Sequence, residues 1–238
     1  MPEIAPITGH RVAFFGGSFD PPHAGHLTIA RAAQQALKLD TILFAPVGTQ
    51  PLKPLGSTAS YEDRVAMTEL AIAKEPDFCV SRVDAPKPGG APNYTLDTLH
   101  VLRAHMAAGA ELFCLMGADS LHGLRRWYHA AEIPFTAHLV VASRPGDNLN
   151  DLSMLLPQGV SLQSANPVHL GSGNVELLTY AVRNATGTTA PFYVLPGLHV
   201  DASATQIRAS LHGGFGATPL LLPQVANYIV SHHLYTDG

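Results

Sequence analysis

Six short runs, apolar almost from end to end, constrain the fold most: Arg11–Gly16 (RVAFFG), Thr41–Pro46 (TILFAP), Phe78–Val83 (FCVSRV), Glu111–Gly117 (ELFCLMG), His138–Ser143 (HLVVAS) and Phe192–Leu195 (FYVL). A strand with one wet face alternates apolar and polar side chains. These runs do not alternate, so they read as strands covered on both faces, the condition of a parallel sheet. Segments with helical spacing separate them. Residues 25–38 place Leu27, Ala30, Ala33 and Leu37 on one face, residues 60–74 carry Val65, Leu70 and Ile72, and Tyr94–Gly109 reads as a helix closed by its glycine. Strands alternating with helices predict an α/β fold with a doubly wound, mostly parallel sheet. At 238 residues and 46% hydrophobic content the chain can bury a substantial core, and residues 1–238 read as a single domain. Residues 147–190, rich in Asn, Ser, Gly and Thr, break the rhythm. They read as an irregular excursion with a strand pair around Gln158–Ser164 and Glu176–Tyr180. Helices over 203–212 and 219–233 close the domain.

Charge and cysteine usage exclude several classes of function. Fourteen Lys and Arg against eighteen Asp and Glu give a net charge of −4, which is the wrong sign for a broad nucleic-acid surface. An anionic ligand must then be held by local groups. Cys79 and Cys114 both fall inside apolar strands, so no disulfide framework is expected and a reducing compartment fits. No apolar run reaches membrane-spanning length and the N-terminus has no signal-peptide core; the expected setting is cytoplasmic. Oligomeric state is not legible, and a homo-oligomer stays open.

The segment GGSFDPPHAGHL, Gly16–Leu27, joins the first strand to the first helix. Ligands of open parallel sheets bind beyond the carboxyl ends of the strands. There Gly16 and Gly17 let a ligand approach the backbone, and the N–H groups and dipole of the next helix favour an anion. His23 and His26 lie three apart, so both imidazoles can share a helix face. The segment reads as a phosphate site. Neither a cysteine nor a third histidine stands at metal-ligand spacing, so no protein metal site is expected.

Taken together these residues resemble the G-G-x-F-D-P-x-H-x-G-H signature of the nucleotidyltransferase superfamily. The whole chain is similar to the bacterial nicotinate-mononucleotide adenylyltransferases within it. The likeness recurs in PVGTQPLKP (Pro46–Pro54), EDRVAMTELAI (Glu62–Ile72), YTLDTL (Tyr94–Leu99), MGADSLHGLRRW (Met116–Trp127), SRPG (Ser143–Gly146), SATQIR (Ser203–Arg208) and PQVANYIVSHHLY (Pro223–Tyr235). It implies a Rossmann-like nucleotidyltransferase fold and transfer of an adenylyl group from ATP to nicotinate mononucleotide. His23, His26 and Arg208 would carry the chemistry. Gly16, Gly17, Ser18, Phe19, Gly117, Asp119, Ser203 and Thr205 would bind ATP, and Lys53, Thr95, Trp127 and Arg144 the mononucleotide. Mg²⁺ would arrive with ATP, held mainly by the substrate phosphates. The family pattern I-S-S-T-x-I-R is altered here: Ala202 and Ala204 replace an isoleucine and a serine, and Leu52 stands where a histidine is common. The alternatives are an adenylyltransferase for nicotinamide mononucleotide or another phosphorylated acceptor, and a nucleotide-binding module without catalysis.

Overall fold

A computed structural model describes residue 7 and residues 9–53, 56–145, 151–163, 168–172, 175–198, 203–212 and 220–236. Its centre is a run of parallel strands: β1 (Arg11–Gly17), β2 (Thr41–Pro46), β3 (Phe78–Val80), β4 (Glu111–Gly117), β5 (His138–Ala142) and, after three further strands, β9 (Thr189–Leu195). The strands between them are β6 (Val160–Leu162), β7 (Val168–Ser172) and β8 (Val175–Asn184). The sheet order is β3-β2-β1-β4-β5-β9-β8-β6, with β7 also on β8. Pairing is parallel from β3 to β9 and antiparallel for β6, β7 and β8. The doubly wound, mostly parallel sheet is therefore the observed fold. Chain direction across the sheet reverses at β1, which lies between β2 and β4. A crevice at such a switch point is the usual ligand site.

The helices are α1 (Ala24–Leu37), α2 (Tyr61–Ile72), α3 (Thr95–His105), α4 (Ala118–Gly123), α5 (Ile133–Thr136), α6 (Leu152–Leu155), α7 (Ala204–His212) and α8 (Pro223–Ser231). Alternation along β1 divides the core. Ala13 and Phe15 join the cluster containing Ala30, Met67, Ile207 and Ile229. Val12 and Phe14 join the cluster containing Leu99, Leu102, Leu121 and Ile133. Both faces are dry, which explains why the strand sequences show no polar alternation. Local signals set several boundaries. Ser60 caps α2 by accepting the Asp63 N–H at 3.1 Å, and Glu62 and Asp63 complement the helix dipole.

Several sequence expectations move, and the closing helix expected over 219–233 is Pro223–Ser231. The helix expected over Tyr94–Gly109 stops at His105, because Met106 turns extended and bridges to Ile7. Gly109, at φ +80, serves the turn beyond it. The third strand is Phe78–Val80, not Phe78–Val83. Within the excursion, β6 and β8 pair in antiparallel register, Val160 opposite Asn184, and β8 extends the main sheet through β9. Parts of it, residues 147–150, 164–167 and 173–174, lie outside the described residues. Both cysteines are unpaired, Cys79 exposed and Cys114 buried.

Candidate active site

The chain leaves β1 through Gly16 and Gly17. A Cβ at Gly16 would stand 2.6 Å from the Phe14 ring, and one at Gly17 would press on the Phe19 ring at 3.3 Å. Packing of the turn itself therefore demands glycine, and the bare backbone also borders the cleft described below. Phe19 follows at φ +47, a left-handed conformation uncommon for a bulky residue. Its ring is buried against Phe15 and His26, so Phe19 can offer a ligand little beyond its main chain.

His23 stands extended at the start of α1, and its N–H donates to Nδ1 of His26 at 3.2 Å. The two rings stack with centroids 3.8 Å apart. Burial, helped by Arg144, lowers the His23 pKa to about 4. Burial, then His23, holds His26 well below its ordinary value. Both rings are thus neutral near pH 7. Since Nδ1 of His26 accepts, the proton of that ring resides on Nε2, which becomes a donor. The amides at this helix start differ from expectation. Ala24 N–H is taken by the Leu220 carbonyl at 3.0 Å and His26 N–H by the His23 carbonyl at 3.0 Å. An anion here meets imidazole donors more than backbone ones.

Cations gather on the 18–20 segment just before this pair. Arg208, on α7, donates through Nη1 to the Asp20 carbonyl at 2.5 Å. Ser203 caps α7 by accepting the Gln206 N–H at 3.2 Å, and Thr205 Oγ1 stands 3.5 Å from Arg208 Nη2. The altered Ala202 lies outside the described residues. Lys53, from the loop after β2, donates to Ser18 Oγ at 3.1 Å, and Ser18 donates on to Gln50 Oε1. Burial and then Arg208 lower the Lys53 pKa. Lys53 and Arg208 therefore feel one another across the 18–20 segment.

Two pockets open at the carboxyl edge of the sheet. A cleft of about 410 Å³ runs from Gly16, Gly17 and Lys53 to Thr95, Trp127 and Tyr128. A smaller one is bordered by Gly117, Asp119, Ser143 and Arg144. Arg144, grouped from sequence with the mononucleotide side, thus sits with Gly117 and Asp119. Several cleft residues escaped the sequence reading. Tyr94 and Tyr128 stack with centroids 4.4 Å apart. Asn93 ties two loops together, accepting the Thr49 N–H at 2.9 Å and donating to the Ala85 carbonyl at 3.1 Å. Asp84 is buried in the cleft wall with the Thr98 hydroxyl on its carboxylate. Burial first, and Asp97 to a lesser degree, raise its pKa to about 6 against the opposing effects of Thr98 and Lys87. Tyr94 and Tyr128 adjoin residues the sequence singled out; an isolated acid in VDAP carries no such signal.

An open, mostly parallel sheet with a glycine turn, a histidine pair and a cleft at the carboxyl edge of its switch-point strand is a nucleotide-binding α/β architecture. The chain belongs to the cytidylyltransferase-like family, whose model matches residues 14–210. It is 36% identical over 228 residues to a probable nicotinate-nucleotide adenylyltransferase of Gloeobacter violaceus, covering 95% of this chain and 97% of that one. A protein of the same description from Laribacter hongkongensis is 36% identical over 236 residues, covering 99% and 96%. The fold matches that of Plasmodium falciparum nicotinic acid mononucleotide adenylyltransferase complexed with NaAD, at TM-score 0.65 and 14% identity over 94% of this chain and 97% of that one.

Proposed function

We propose that this chain transfers the adenylyl group of ATP to nicotinate mononucleotide, giving nicotinate adenine dinucleotide and pyrophosphate for NAD biosynthesis. The observation that carries the reading is the stacked, neutral imidazole pair at the start of α1, with Arg144 acting on His23, Arg208 and Lys53 on the adjoining 18–20 segment, and two pockets at the carboxyl edge of the sheet. The relatives' printed activity supports the same reaction. The larger cleft suits the acceptor's ring. A glycosylated pyridine carries a positive charge, and aromatic faces attract cations. Trp127, Tyr94 and Tyr128 supply such faces, and Asp84 adds a carboxylate with no ion pair to Lys or Arg within 4 Å among the described residues.

In this reading an oxygen of the mononucleotide's 5′-phosphate attacks the α-phosphorus of ATP. The new P–O bond forms as the α–β bridge breaks, and pyrophosphate leaves with the electron pair. The phosphate's second pKa is near 6, so the nucleophile is already charged and needs no enzyme base. The protein's work is positioning and charge stabilisation. His23 and His26 donate to phosphate oxygens near the reacting phosphorus. Arg208, Ser203 and Thr205 hold the β and γ groups, Gly117 and Asp119 the adenosine end, and Thr95 and Trp127 the nicotinate. No cluster of three or more His, Cys, Asp or Glu fit for a metal occurs among the described residues. Asp20, the carboxylate closest in sequence to the histidines, is engaged by other groups. Mg²⁺ arriving with ATP would be held mainly by the substrate phosphates and would supply charge neutralisation there.

Purified protein mixed with ATP, Mg²⁺ and nicotinate mononucleotide should release pyrophosphate and dinucleotide, with a higher kcat/KM than for nicotinamide mononucleotide. ATP binding without turnover would support the non-catalytic module instead. The pH profile offers a second check. The acid limb of kcat/KM should fall near pH 6, the substrate phosphate's own ionisation. His23, at about 4, titrates too low to set it. The limb should survive in His23→Asn and in Asp84→Asn; its loss in the histidine variant would make His23 the titrating group.

A further inference from the structure

Asp20 is the point where the first and last segments of the chain meet. It is 4% exposed. Its carboxylate accepts the Thr58 N–H at 2.6 Å, the Ala59 N–H at 3.1 Å and the Tyr235 hydroxyl at 2.7 Å. Its carbonyl accepts from Arg208, whose Nη1 also lies 3.9 Å from the carboxylate. Arg64, buried beneath, donates to the Ser18 carbonyl at 2.8 Å and the Ala59 carbonyl at 3.3 Å. Lys53 reaches the same segment through Ser18. Three cations from three elements thus surround one carboxylate.

Tyr235 is held for this contact. It lies beyond α8, is 6% exposed, and adopts φ +60. A left-handed aromatic residue is strained and persists only where its surroundings fix it. Phe19, next to Asp20, is held at φ +47. Both sides of the hydroxyl–carboxylate bond therefore sit on over-determined backbone. A bond fixed at both ends fixes what hangs from it, and Asp20 carries Arg208.

We infer that Tyr235 is a positioning residue for ATP: through Asp20 it sets the place of the Arg208 guanidinium, so that the triphosphate meets a preformed donor. Asp20 also gives Arg208 and Lys53 a counter-charge. This rests on the reading of Arg208 as a triphosphate ligand.

The test is a double-mutant cycle on binding of α,β-methylene ATP with Mg²⁺, using full-length wild type, Tyr235→Phe, Arg208→Ala and the double variant. Tyr235→Phe removes one oxygen and keeps the packing. It should weaken analogue binding about fivefold in the wild-type background and have little further effect once Arg208 is gone. In turnover, KM for ATP should rise while KM for the mononucleotide stays within about twofold, a split that general loosening would not give. An equal loss in both backgrounds, or analogue affinity unchanged by Tyr235→Phe, overturns the inference. The cycle uses no acceptor, so a wild type that binds the analogue but makes no dinucleotide from nicotinate mononucleotide refutes the proposed reaction and leaves this question separately decided.

Discussion

Replacing His26 with asparagine should lower kcat by at least about tenfold, and toward the 10²–10³ lost when one donor aimed at developing charge is removed. Asparagine is the informative substitution. Its Oδ1 can take the place of the imidazole Nδ1 that accepts the His23 N–H at 3.2 Å, so the start of α1 keeps its bond. It has nothing at the position of Nε2. The variant separates the ring's structural contact from its donor. Glutamine reverses the choice, and should recover part of the rate. Burial explains why a neutral imidazole serves here. A charged ring would need solvation that the contacts to Phe15, Phe19 and His23 deny it. Neutral, it donates one hydrogen bond at a fixed angle and leaves the bulk charge to Arg208 and Lys53. The loss should fall on kcat more than on KM, since the donor matters most where charge accumulates. A folded His26→Asn protein with wild-type turnover would remove His26 from the reacting centre.

What could be read in the sequence divides along a physical line. The parallel strands and the glycine–histidine turn were legible because each signal is local: unbroken apolar runs, and a phosphate motif within a dozen residues. Arg144 was matched to a segment, but its place beside Gly117 and Asp119 was not legible. Its position depends on β5 lying beside β4, which no local pattern encodes. The early end of α3 depends likewise on Ile7, almost a hundred residues upstream, capturing Met106. The place of Asp20 was not legible either, because its partner Tyr235 lies at the other end of the chain. The excursion's strands were only partly visible. β8 pairs on both edges, while its exposed and half-exposed positions dilute the apolar signal. Asp84 had no signal at all, since its meaning comes from burial.

That burial makes Asp84 the site of the largest expected effect on stability. Its folded-state pKa of about 6 lies above the ordinary value of 3.8. The native protein therefore holds this proton more tightly than the unfolded chain does. Stability from this group is fully present below pH 3.8 and is lost as pH rises through 6. Above that range the buried charge costs up to about 3 kcal/mol. Asp84→Asn removes the titration and keeps an acceptor for the Thr98 hydroxyl. Denaturant unfolding of both proteins at pH 4 and pH 8 should show the variant gaining up to about 3 kcal/mol on the wild type between the two. His23 and His26 work in the opposite sense, losing stability as pH falls below their ordinary range, but both proteins contain them and the difference cancels them. A gap that stays constant between the two pH values would show that Asp84 is not a strained anion. Such strain persists where function needs it, and the proposed function supplies a reason: a carboxylate held charged in a cleft with Tyr94, Trp127 and Tyr128 would meet the acceptor's cationic ring. The more stable variant should accordingly be the poorer enzyme, with a raised KM for the mononucleotide and an unchanged KM for ATP.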